Sequence, residues 1–103
     1  MMSDKYAPLD DAQIAARLAS LPGWERDGDT IRKTFKLSSY IAGSAFAAAI
    51  GTICESFDHH PDRLCIEWKA VTVSFCTHSA GSKLTPLDFD VADVIEALPY
   101  RKP

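Results

Sequence analysis

Two of the chain's three histidines stand side by side in Glu55-Ser56-Phe57-Asp58-His59-His60-Pro61, and the third, His78, follows a strand-like run. Imidazole, with an unperturbed pKa of about 6.5, gives and takes protons near neutrality, so this concentration points first to acid/base chemistry. Glu55 lies four residues before His59, which on a continuing helix is the same face. A carboxylate there orients an imidazole and raises its pKa, or forms an ordinary surface pair. By the same periodicity His60 extends the apolar stripe of Ile53 and Phe57, which reads as a partly buried histidine held by hydrogen bonds. Asp88 fits position N3 of a capped helix, where the helix terminus alone explains an acid. His78, ahead of Ser79-Ala80-Gly81-Ser82-Lys83, also fits a loop histidine with no task.

Three histidines near carboxylates raise the question of a metal. Adjacent histidines on a helix point about 100° apart, and the i, i+4 or i, i+3 pair is missing, so none is expected there. Cys54, Cys65 and Cys76 are eleven residues apart, which fits no zinc spacing, and an odd number cannot pair fully within one chain. Reduced thiols and a cytoplasmic location are the expectation. The formal charge of −3, without a dense Lys/Arg run, argues against a nucleic-acid surface. Tyr40 to Cys54 reads as too short and too broken by Gly and Ser to span a bilayer, so no membrane partner is expected.

The elements that must hold these residues follow from capping and periodicity. At 103 residues, 47% of them hydrophobic, the chain is expected to be one globular domain over 1–103. Asp10 with Gln13 makes a capping box, and Ile14, Leu18 and Leu21 recur at helical spacing until Pro22-Gly23. Trp24 to Arg26 reads as a short strand, Asp27-Gly28 as a turn, and Thr30 to Leu37 as a strand with Ile31, Phe35 and Leu37 on one face. Ser38 or Ser39 caps a second helix carrying Phe46, Ile50, Ile53 and Phe57, which should end near His59-His60 because Pro61 disfavours helix before it. Leu64 to Trp68 and Val71 to Thr77 read as strands, and by parity His78 joins the polar set. Thr85-Pro86-Leu87-Asp88 opens a third helix with a stripe of Leu87, Val91, Val94, Ile95 and Leu98, ended by Pro99. Trp24, Trp68 and Phe75 read as core. The order α-β-β-α-β-β-α predicts an α+β fold, a four-stranded antiparallel sheet with three helices on one face.

Taken together the residues spell Glu55-x3-His59-His60-Pro61-x6-Trp68-x9-His78-x9-Asp88, and with Leu21-Pro22-Gly23-Trp24, Asp58 to Asp62, Thr77-His78 and Leu84-Thr85 the chain resembles the pterin-4a-carbinolamine dehydratase family over about residues 9 to 98. The resemblance implies the same α+β fold. It also implies dehydration of 4a-hydroxytetrahydropterin to quinonoid dihydropterin, which regenerates the cofactor of aromatic amino acid hydroxylases, with no cofactor or metal of its own. His59, His60 and His78 match the family's active-site histidines, and Asp58, Pro61, Thr77 and Ser79 match positions lining the pterin. Glu55 and Asp88 then orient imidazoles. A homodimer or homotetramer is expected. The alternative implied is a dimerisation cofactor for a transcription factor, with catalysis incidental or lost. The chain departs from the pattern in having Ser82-Lys83 between Gly81 and Leu84-Thr85, and Ser79 where an acidic residue often follows the third histidine.

Overall fold

Asp10 caps the first helix as its box predicts, its carboxylate accepting from Gln13 N–H at 2.8 Å while the Gln13 side chain accepts from Asp10 N–H at 2.9 Å. The structure, a computed structural model, describes residues 4–100, so the ends of the expected 1–103 domain lie outside the described residues. Helix α1 spans Asp11–Leu18, and the chain then runs β1 Glu25–Asp27, β2 Thr30–Lys36, α2 Tyr40–Phe57, β3 Arg63–Glu67, β4 Ala70–Phe75 and α3 Pro86–Glu96, with a 3-10 turn at His78–Ala80. The predicted order of three helices and four strands is the observed one.

All neighbouring strands are antiparallel, in the spatial order β1-β2-β4-β3. Gly28 with φ 62° lies in the two-residue loop closing β1 onto β2, a conformation that costs glycine nothing. Ile31 faces Phe75 and Phe35 faces Val71 across β2 and β4, and this side packs under Phe46, Ile50 and Cys54 of α2 and Leu87, Val91 and Ile95 of α3. Each large apolar side chain so buried contributes about 1.5–3 kcal/mol. Lys33 shares that inner face, which alternation alone makes a poor place for a charge. Its ammonium is bonded to Pro22 O and to the Glu96 carboxylate, and it sits 4.6 Å from the Phe35 ring centroid.

Several positions differ from expectation. β1 starts one residue later than predicted, which places Trp24 beneath the sheet against Phe35 and Phe75. Trp68 is not core: it lies in the β3–β4 turn, 75% exposed, with Lys69 Nζ 4.9 Å from its ring centroid. Val94 faces outward from α3, whose buried stripe is Leu87, Val91 and Ile95. α2 runs to Phe57, and among the described residues it is the one helix long and apolar enough, by length and composition, to cross a bilayer, with a mean hydropathy of 1.3. Part of that apolar content is spent on packing, because Gly43, Phe46, Ala47, Ile50 and Cys54 are buried.

The three cysteines are free. Burial pushes the Cys54 thiol from its ordinary 9.0 up to about 11, a backbone hydrogen bond opposing. The folded chain thus holds this proton more tightly than the unfolded one, so the stability it contributes is full below about pH 9 and is lost as pH rises towards about 11. Iodoacetamide at mildly alkaline pH is therefore expected to label half-exposed Cys65 well ahead of Cys54 in the folded chain, and both alike after denaturation. Peptide mass spectrometry reads the order, and equal labelling of the folded chain would contradict it.

Candidate active site

The end of α2 decides where both adjacent histidines point. Asp58 adopts the left-handed conformation, φ 50° and ψ 42°, a closing role more often given to glycine but open to aspartate. The amides of Asp58 and His59 turn back to Glu55 O at 3.1 Å and Cys54 O at 3.0 Å. Helical projection therefore stops at Phe57, and the two imidazoles exchange the places that periodicity assigns them. His59 is 7% exposed and stacks against Phe75 with ring centroids 5.8 Å apart. His60 is exposed, which overturns its reading as the buried continuation of the Ile53–Phe57 stripe. Glu55 changes partner with it: its Oε1 lies 2.7 Å from His60 Nε2, so it serves His60 and not His59.

His59 is held from the other side of the site. Its Nε2 lies 2.6 Å from Oδ1 of Asp88, which is fully buried. The other oxygen, Oδ2, accepts from Thr85 N–H at 2.9 Å and from Thr77 Oγ1 at 2.9 Å. Since Thr77 gives its proton to Asp88, the 2.7 Å contact between the Thr77 and Thr85 hydroxyls is donated by Thr85. Asp88 thus does what an acid at N3 does for a helix and in the same position grips the histidine. Among the described residues the only buried side-chain N or O atom without a partner is Trp24 Nε1. No partner holds His59 Nδ1, so that nitrogen opens to the surface. The result is an imidazole walled in by Phe75 and Asp88 that presents one atom outward.

His78 begins the 3-10 turn after β4 and is exposed, although Ser74 and Cys76, with which parity groups it, are buried. Its Nε2 lies 3.5 Å from Asp62 Oδ1 and its Nδ1 lies 3.3 Å from Ser82 Oγ. Asp62 is tied to β4 by its N–H, which donates to Ser74 O at 2.8 Å. The loop departure has a structural use here. Gly81 and Ser82 both take positive φ, 73° and 59°, which brings the Ser82 hydroxyl to His78, and Lys83 O accepts from Thr77 N–H at 2.8 Å.

Each of the three histidines therefore has a carboxyl on Nε2, supplied by Asp88, Glu55 and Asp62 respectively. Asp62 was missed as the partner of His78; its only sequence signal was its place directly after Pro61. Asp58 and Ser79 are exposed and Pro61 is half-buried at this end of the sheet, while Thr77 is buried with its hydroxyl committed to Asp88 and Thr85. Trp68 lies past the far end of β3, about 20 Å along the strand direction from Asp62, so the structure does not bring it to the histidines. An apolar groove lined by Ile41, Ala45, Phe46, Pro99 and Tyr100 sits at the first turns of α2, about 20 Å along the helix from His59.

The model of the family described as pterin 4 alpha carbinolamine dehydratase matches residues 7–98. A relative from a Roseiflexus species, provisionally named pterin-4-alpha-carbinolamine dehydratase, is 46% identical over 90 residues, covering 87% of this chain and 95% of its own length. One from Streptomyces avermitilis with the same provisional name is 41% identical over 91 residues, covering 88% and 89%. A solved structure described as a transcriptional coactivator/pterin dehydratase from Brucella melitensis superposes with a TM-score of 0.81 at 27% identity, over 87% of this chain and 96% of that one.

Proposed function

We propose that this chain, which belongs to the pterin 4 alpha carbinolamine dehydratase family, dehydrates 4a-hydroxytetrahydropterin to quinonoid dihydropterin and water, in the recycling of a tetrahydropterin cofactor for an aromatic amino acid hydroxylase. The observation that carries the reading is the set of three imidazoles, each seated on a carboxyl, where the end of α2, the end of β4 and the start of α3 meet.

The reaction breaks the C4a–O bond. Hydroxide is a poor leaving group unless it is protonated, and loss of a ring N–H proton pushes it out, so an acid and a base must reach different parts of one flat ring. Two groups on separate elements suit this. The His59–His60 pair at the end of α2 takes one proton-transfer role and His78 after β4 takes the other. Glu55, Asp62 and Asp88 fix ring orientation and set which nitrogen carries the proton. Asp58, Pro61 and Ser79 line the rim for the pterin, and Thr77 contributes by holding Asp88. A dimer or tetramer belongs to the same reading and is supported by the exposed Tyr40, Ile41 and Val94 on the outer helix faces.

A stopped-flow assay with freshly generated 4a-hydroxytetrahydropterin tests the activity. Dehydration is expected to run well above its spontaneous rate in proportion to protein added. A rate equal to the spontaneous one would overturn the enzyme reading in favour of a binding module.

A further inference from the structure

Cys76 is the one cysteine placed beside a histidine and a carboxylate. Its Sγ lies 3.9 Å from His78 Nε2, which itself lies 3.5 Å from Asp62 Oδ1. The three donor atoms all fall within 4.8 Å of one another, the one such cluster of three among the described residues. Zinc bonds of about 2.3 Å to sulfur and about 2.0–2.2 Å to nitrogen and oxygen, at tetrahedral angles, put S and N about 3.6 Å apart and N and O about 3.4 Å apart. The observed S–N and N–O separations exceed these by a few tenths of an ångström, and the third, between the sulfur and the Asp62 oxygen, lies within 4.8 Å.

The local chain explains the fit. Cys76 and His78 are two residues apart at the end of β4, and Asp62 stands across from them because its backbone bonds to Ser74. The thiol is buried while His78 and Asp62 are exposed, so the soft donor forms the floor and the two rim ligands leave an entry path and an open fourth position. Ser82 Oγ at His78 Nδ1 supplies the outer-shell partner that a metal-bound imidazole ordinarily has. Burial first, and then the charges of Asp62, Asp88 and Asp29, push the Cys76 thiol above its ordinary 9.0, so an ion has to displace a tightly held proton, while the same carboxylates attract a cation.

We propose that Asp62, Cys76 and His78 form a site for one thiophilic divalent ion of the zinc class. Metal binding forms an S–metal bond and releases the thiol proton to solvent, with no change in oxidation state. The site shares His78 with the dehydratase reading but does not rest on it: an ion on Nε2 withdraws the nitrogen that the reaction uses, so binding and dehydration compete.

Cobalt(II), a spectroscopic substitute for zinc, tests the proposal on the purified chain. Titration is expected to give a one-to-one complex with a thiolate-to-cobalt charge-transfer band in the near ultraviolet. Cys76→Ser should abolish the band, Cys65→Ser should keep it, and Asp62→Asn should weaken binding by on the order of 10-fold or more, since losing even outer-shell partners costs about that much. Absence of the band, its persistence in Cys76→Ser, or its loss in Cys65→Ser would overturn the site. Should Cys76→Ser fail to fold, unchanged affinity in the rim variant Asp62→Asn would overturn it equally. Zinc added to the dehydration assay separates the two readings: a missing band with dehydration intact removes the metal site alone. A chain without dehydratase activity that still gives the band keeps the site.

Discussion

His59→Ala is expected to slow dehydration of 4a-hydroxytetrahydropterin by about 10²–10⁴-fold, the usual worth of one well-placed proton-transfer group. The imidazole is fixed by Phe75 on its face and by Asp88 at 2.6 Å on Nε2, with the other nitrogen at the surface. Water entering the vacated space has neither that orientation nor that basicity. His78→Ala should cause a loss of the same order, because the second proton must travel through a different group. The fall should lie in kcat more than in KM if the histidines act in the transition state rather than in holding the pterin. Asp88→Asn provides the positioning counterpart. An amide N–H facing His59 Nε2 forces that nitrogen to accept, so the ring proton moves to the surface nitrogen. The variant should therefore fold, bind and react slowly, with its pH–rate profile displaced. Single-turnover rates in His59→Ala and His78→Ala equal to the parent's would remove both from the chemistry.

Asp88→Ala is expected to cost stability on the order of 3–5 kcal/mol, the loss typical when one member of a buried polar group is deleted. The carboxyl is fully buried and answers three donors or partners at once: Thr85 N–H, the Thr77 hydroxyl and His59. Truncation leaves each without a partner in a place water does not reach, and an unmet buried polar group costs about 1–3 kcal/mol. It also removes the N3 acid from α3. Domains of this size have about 5–15 kcal/mol in all, so urea unfolding should show a midpoint shifted far down with little change in slope. Asp88→Asn should recover most of the loss, since its carbonyl still accepts from Thr85 and Thr77. If Asp88→Ala unfolds within 1 kcal/mol of the parent, roughly the worth of one exposed cap, the network is not structural.

Much of this arrangement could be read from the sequence, for identifiable reasons. Helices α1 and α3 carry side-chain caps at fixed offsets, Asp10 with Gln13 and Thr85 with Asp88, and local chemistry of that kind survives tertiary context. Strand β2 alternates because one of its faces is buried, so Ile31 and Phe35 fell where parity put them, and Val71 and Val73 of β4 join them on that face although β4 is buried on nearly every residue. What periodicity could not supply was the residue at which it stops. Extending the α2 repeat by three residues past Phe57 sent His60 inward and His59 out, and gave Glu55 the wrong partner; Asp58 in the left-handed region reverses all three. Trp68 followed a general preference of tryptophan for the core, but a turn at the sheet's end has no core to offer. Asp62 beside His78 and Cys76 depends on strand pairing between β3 and β4, a relation across sequence that no local pattern encodes.

The buried carboxyl of Asp88 joins what would otherwise be separate affairs. It belongs to the first turn of α3, is bonded to the residue after Cys76 at the end of β4, and grips His59, the residue after the one that closes α2. Docking of the last helix and assembly of the His59 imidazole are therefore one event, not two. The geometry of the His59 imidazole is thus a local report on whether the last helix is in place.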